Sequence, residues 1–152
     1  MRDIRAVLER WGNWAAHEEN RAAWPPLCAT FRGVLPVKAS SRPSCTDEDG
    51  LIIDACVSKL HAAGRDDERE ALFVYYVLRL SIRDVADVLG TNKMRVRNLL
   101  VAGESFVTGA MVMLGTRLDM DLVLKTPGKM KPANGQGVNL VFGNTGSALV
   151  AC

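Results

Sequence analysis

Apolar residues recur at helical spacing in five stretches of the chain, and the breaks between them are marked by capping residues, glycines and prolines. In "MRDIRAVLERWGNWAA", Ile4, Val7, Leu8, Trp11 and Trp14 or Ala15 form one stripe, while Arg2, Arg5, Glu9 and Arg10 fall outside it. That is the pattern of an amphipathic helix with its two tryptophans in a core. Thr46 opens a second helix, with acids filling its first turn and Leu51, Ile52, Ala55, Cys56 and Leu60 as its apolar face; Gly64 closes it. Asp66 and Asp67 start a third helix through "EREALFVYYVLRL", whose apolar density marks it as the most buried segment.

The fourth and fifth stretches meet at Gly90. Ser81 caps a short helix, Ile82 to Leu89, with Ile82, Val85, Ala86 and Leu89 on one side. Gly90 supplies the left-handed residue that ends it. Thr91 or Asn92 then caps a long helix on which Val96, Leu99, Leu100 and Phe106 continue the core stripe, and which is expected to run on through "RLDMDLVL". A small residue four positions before the glycine and apolar residues six and nine positions after it are the spacing of a helix-turn-helix. The exposed face of the second helix is then Asn92, Lys93, Met94, Arg95, Arg97 and Asn98, in a window from Val88 to Gly103 that contains no acid. Arginine suits guanine edges, asparagine suits adenine, and lysine and serine suit phosphate.

The fold predicted is all-α. A compact helical domain covers residues 1–124, with a helix-turn-helix at 81–100 of the sigma region 4-like kind, and a flexible C-terminal arm covers residues 125–152. The arm is expected from composition: Thr126 to Cys152 hold five glycines, three asparagines and two prolines, with one short pairable run, "VNLVF". A second irregular stretch, from Trp24-Pro25-Pro26 to Pro43, carries Arg21, Arg32, Lys38 and Arg42 around it and no acid. The whole chain of 152 residues has a net charge of only +2, so the placement of charge, not its sum, points to a polyanion.

Chemistry is sparse. The cysteines Cys28, Cys45, Cys56 and Cys152 form no CxxC pair, and His17 and His61 are far apart in the sequence. No phosphate-cradling glycine loop and no nucleophile with a base is present, so the expectation is a protein that is not an enzyme, has no cofactor and holds no metal. The charged first twenty residues do not read as a signal peptide, and no apolar run reaches the length of a membrane span. A cytoplasmic protein without a membrane partner is expected.

Several separated motifs occur in the order found in one known family. The opening "MRDIRAVLERWGNWAA", the middle "SRPSC" with an acid-rich helix start and "IIDACVSKL", the "VYYV" helix and the closing "RLDMDLV" resemble the smaller class of lambdoid-phage antitermination protein Q, over about residues 1 to 124. The resemblance implies a factor that binds double-stranded DNA at an element near the late promoter. It then loads onto paused, sigma-containing bacterial RNA polymerase and stays with it. As a ring at the exit channel through which the nascent RNA passes, it prevents a terminator hairpin from folding. Carried onto this chain, DNA recognition falls on Lys93, Arg95, Arg97 and Asn98, with Ser81 and Arg83 at phosphates. The segment from Lys38 to Cys45, including Arg42, is a second candidate for nucleic-acid or polymerase contact.

Three other readings fit parts of the pattern. A helix-turn-helix repressor or activator would be a symmetric dimer on a palindrome, a sigma-like or anti-sigma module would show no sequence-specific DNA affinity, and a small enzyme would need a nucleophile and base or a metal.

Overall fold

The computed structural model describes residues 2–17, 20, 25 and 43–121, and among these it is helical, with no strand. Five helices follow in order: α1, Ile4–Ala15; α2, Asp47–Ala62; α3, Asp66–Leu72; α4, Ile82–Leu89; and α5, Lys93–Leu114. The chain of α3 continues without a break into a π-helical turn, Phe73–Val77, where the Leu78 N–H reaches back to the Phe73 carbonyl. The basic segment containing Lys38 and Arg42, the "VNLVF" run and the arm 125–152 lie outside the described residues.

Four of the five helices begin on a local side-chain cap. The Asp3 carboxylate accepts from the N–H groups of Arg5 and Ala6, and the Thr46 hydroxyl from that of Asp49. Ser81 accepts from Asp84 and Asn92 from Arg95 in the same way, while α3 starts without such a cap. Gly90, at φ 67°, ends α4 in the left-handed conformation that its position in the sequence predicts.

α1 lies across the π turn and α2, and α5 packs on α2, α3 and α4. Where α1 meets the π turn, Trp11 stands edge-on to Phe73, with ring centroids 5.0 Å apart. Both tryptophans of α1 are core residues. Each indole N–H also finds an acid on α2, Trp14 donating to Asp47 at 2.9 Å and Trp11 to Asp54 at 3.4 Å. The backbones come close at this crossing: a Cβ on Gly12 would run into the Tyr76 carbonyl, and one on Gly50 into the Trp14 ring.

Three expectations need correction. The inward face of α2 is Asp49, Gly50, Ile53, Cys56, Val57 and Leu60, so Leu51, at 62% exposure, and Ala55 point outward. Gly50 against Trp14 sets that phase. The third helix does not reach Leu80 as regular α-helix, because the π turn intervenes and Arg79 takes a left-handed φ of 62°. Finally, α5 stops at Leu114 with Gly115 as its left-handed cap, and the chain turns back so that Leu118 and Met120 are buried.

That return is fastened by charge. Arg2 makes a two-pronged ion pair with Asp121, both contacts at 2.7 Å, and donates to the Thr116 carbonyl. Asp49 is buried at the start of α2, where its two carboxylate oxygens accept the backbone N–H groups of Asp119 at 2.8 Å and Met120 at 3.0 Å.

Candidate nucleic-acid interface

Helices α4 and α5 are joined by the three residues Gly90, Thr91 and Asn92, and the Thr91 N–H returns to the Ala86 carbonyl at 2.8 Å to close the turn. Val85 and Ala86 on α4 and Val96, Leu99 and Leu100 on α5 are buried, which holds the pair against the rest of the core. Lys93, Met94, Arg95, Arg97, Asn98 and Val101 are left facing solvent.

These residues do not form one face. At about 100° per residue, Arg95 and Arg97 stand some 160° apart around the axis of α5. Arg95 points along the flank toward α3, where it donates to Asp67 at 3.1 Å in an exposed ion pair. Arg97 lies on the opposite flank and makes no ion pair or side-chain hydrogen bond among the described residues. Between these flanks runs a stripe at helical spacing, Met94, Asn98 and Val101, with Arg97 along its edge.

The remaining predicted site residues are divided between capping and solvent. The Asn92 side-chain oxygen, Oδ1, is occupied with the Arg95 N–H at 2.9 Å. Ser81 accepts the Asp84 N–H and donates its own hydroxyl hydrogen to the Asp84 carboxylate at 2.8 Å, so its side chain faces an acid. Arg83 and Lys93 are exposed. Lys38 and Arg42 lie outside the described residues.

Beside Arg97 a groove of about 280 Å³ separates α5 from α1 and the π turn, with Arg5, Glu9, Tyr75 and Val101 among its walls. Its floor holds Glu104, which is 7% exposed. One Glu104 oxygen accepts the Tyr76 hydroxyl at 2.8 Å and the other accepts the Arg5 Nε–H at 3.3 Å. Burial, and then the carboxylate beside it, push the Tyr76 phenol well above its usual range, so it stays a donor. The carboxylate also raises the Arg5 guanidinium.

The other reactive groups are quiet. His61 pairs with Asp66 across the α2–α3 turn at 2.6 Å. Burial pushes the Cys45 thiol up to about 12 and raises Cys56, so neither is a ready thiolate. Among the described residues no three His, Cys, Asp or Glu side chains come together to hold a metal, and no helix is long and apolar enough to cross a membrane.

The family model described as phage antitermination protein Q matches residues 1–119. The chain belongs to the phage antitermination protein Q family. It is 43% identical over 124 residues to a probable antitermination protein Q of Acyrthosiphon pisum secondary endosymbiont phage 1, covering 82% of this chain and 84% of that one. It is 41% identical over 121 residues to antitermination protein Q of Escherichia phage 933W, covering 80% and 83%. With the prophage antitermination protein Q homolog QuuD of Escherichia coli K12 it shares 35% over 124 residues, 82% of this chain and 97% of the relative. No solved structure matches.

Within this Q-family chain, four residues near the candidate interface carry contacts that periodicity did not single out: Arg5, Asp67, Tyr76 and Glu104. Glu104 had a signal of its own, because it is the first acid after the basic window and falls on the inward stripe with Leu100, Val107 and Met111. An acid at a core position needs a partner.

Proposed function

We propose that this Q-family protein is a phage late-gene antitermination factor. It binds a DNA element near the late promoter, loads onto paused RNA polymerase that still carries sigma, and narrows the RNA exit channel so that terminators are read through. Family membership over residues 1–119 supports the antitermination role.

One geometric observation favours DNA reading by α5: behind a glycine-closed turn, the helix leaves Met94, Arg97, Asn98 and Val101 outward at i, i+3, i+4 and i+7. That is the spacing by which a helix laid in the major groove presents successive side chains to base edges. In this reading Arg97 takes a guanine edge, Asn98 an adenine edge, and Met94 or Val101 a thymine methyl. Phosphates fall to Arg83 and Lys93, because the Ser81 hydroxyl is committed to its cap. Arg95 contributes at the margin, through whatever Asp67 leaves of its charge. The mechanism is steric, and no side chain is assigned a catalytic role.

The test is transcription in vitro across a terminator, with the phage's late promoter region upstream. Read-through should depend on added protein and vanish when the promoter-proximal element is scrambled. Termination unchanged by the protein would overturn the reading. A protein that binds the element as a dimer on a palindrome and alters only initiation would instead be a promoter repressor or activator.

A further inference from the structure

The stripe proposed to read DNA is aimed only as well as α5 is fixed about its own axis. Ridge-into-groove packing admits interaxial angles that differ by about 15 to 20° from one helix pair to another, so apolar packing alone does not prescribe a single setting of a helix. A guanidinium carried roughly 8 Å from the axis swings about 3 Å for a 20° rotation, enough to lose a base edge. Val96, Leu99 and Leu100 seat this part of α5 on the core, but these contacts are apolar and carry no directional bond, and Gly103, beside Leu72, adds no side chain of its own.

Glu104 adds a directional constraint to this packing. It stands seven residues, two helical turns, beyond Arg97 and so within about 20° of the same line along the helix. Its two oxygens take hydrogen bonds from two different elements, Tyr76 on the π turn and Arg5 on α1. Hydrogen bonds fail over a few tenths of an ångström, whereas apolar contacts slide. We propose that Glu104 is a positioning residue for Arg97, setting the rotation of α5 against α1 and the π turn and thereby the specificity of DNA reading. The inference rests on the DNA-binding role proposed above. A buried carboxylate is a poor source of stability compared with a well-packed apolar side chain, but its geometry is demanding, and that suits an aiming device.

The experiment compares the full chain with Glu104→Leu, Glu104→Gln, Arg97→Ala and the double variant Glu104→Leu/Arg97→Ala. Each is titrated with a duplex carrying the phage's late promoter region and with a scrambled duplex, well below the lowest melting temperature of the set. Glu104→Leu should lower the ratio of specific to random affinity about tenfold, the scale of one lost base contact, while random affinity stays within about twofold. Glu104→Gln, which still accepts from Tyr76, should keep most of the ratio. In the Arg97→Ala background, Glu104→Leu should cost no further specificity, because it acts through the side chain already removed. Should Glu104→Leu fail to fold, Tyr76→Phe carries the same prediction, including the loss of its effect in the Arg97→Ala background.

A specificity ratio left intact by Glu104→Leu overturns the inference. So does a loss that adds in full to that of Arg97→Ala, or an equal fall on both duplexes. Wild-type protein that does not distinguish the duplexes would overturn the DNA-reading role itself, and this inference with it.

Discussion

Asp49 and Glu104 are both buried carboxylates, yet the first is held by main-chain N–H groups and the second by side chains. Asp49 grips the backbone of Asp119 and Met120, so its clamp depends on where the returning chain runs and not on which residues it carries there. Its position in the first turn of α2 adds the positive end of a helix to the same carboxylate. Glu104 depends on the identity of both partners, and one of them, Arg5, is itself largely exposed. A clamp on backbone fastens the fold. A clamp on side chains tunes the relation between elements that are already packed.

The comparison breaks most directly at Asp49. Asp49→Ala strands two N–H groups, each costing about 1 to 3 kcal/mol, so chemical denaturation should show a loss of about 2 to 6 kcal/mol. Asp49→Asn accepts only one of the two bonds and should lose roughly half as much. Wild-type stability in the alanine variant would mean that Arg2 and Asp121 hold the returning chain alone.

Tyr76→Phe tests the other clamp and should cost about 1 to 3 kcal/mol, because the buried Glu104 oxygen loses its donor. It has a pH signature as well. Above the ordinary tyrosine range the unfolded chain releases the Tyr76 proton while the folded one keeps it, so wild-type stability falls as pH rises there. The phenylalanine variant should lose that part of the alkaline decline, and a decline identical to wild type would exclude the buried phenol as its source.

Gly90→Val touches neither clamp but strains the turn that sets α4 against α5. A β-branched residue at φ 67° should cost about 1 to 2 kcal/mol, with specific DNA binding falling as well. An unchanged melting temperature would show that the turn relaxes freely.

Asp54 carries a smaller effect with the same sign in pH, displaced to the acidic range. Burial raises its folded-state value, partly offset by the Trp11 N–H and by Arg69. The unfolded chain therefore ionises first as pH rises, and wild-type stability falls through the acidic window before levelling off. Asp54→Asn, which still accepts from Trp11, should be at least as stable as wild type at neutral pH and less stable relative to it in acid; a melting series across that range checks the sign.

The smallest stability change is expected for Asp67→Asn, within about 0.5 kcal/mol, because its pair with Arg95 is exposed. Releasing Arg95 should tighten binding to random and specific duplexes alike and steepen the salt dependence. A gain confined to the specific duplex would instead make Arg95 a base-reading residue.

What the sequence determined by itself was local. The caps at Thr46 and Ser81, the start of α5 at Thr91 or Asn92, the left-handed Gly90 and the inward phase of Val85, Ala86, Val96 and Leu99 all depend on partners within a few positions, or on a periodicity that reports only distance from the core. Tertiary structure alone decided the rest. An acid near a helix start is explained equally well by the helix dipole, so nothing local told that Asp47 would receive an indole N–H or that Asp49 would reach residues 70 positions away. The glycines of α5 look alike in sequence. Yet Gly103 lies under Leu72, Gly109 faces open space and Gly115 ends the helix, because only the packed neighbours distinguish them. The basic window also meets two different surroundings in space: helix geometry alone sets Arg95 and Arg97 about 160° apart, but only the docking of α3 and α1 puts Asp67 on one flank of α5 and the Glu104 groove on the other.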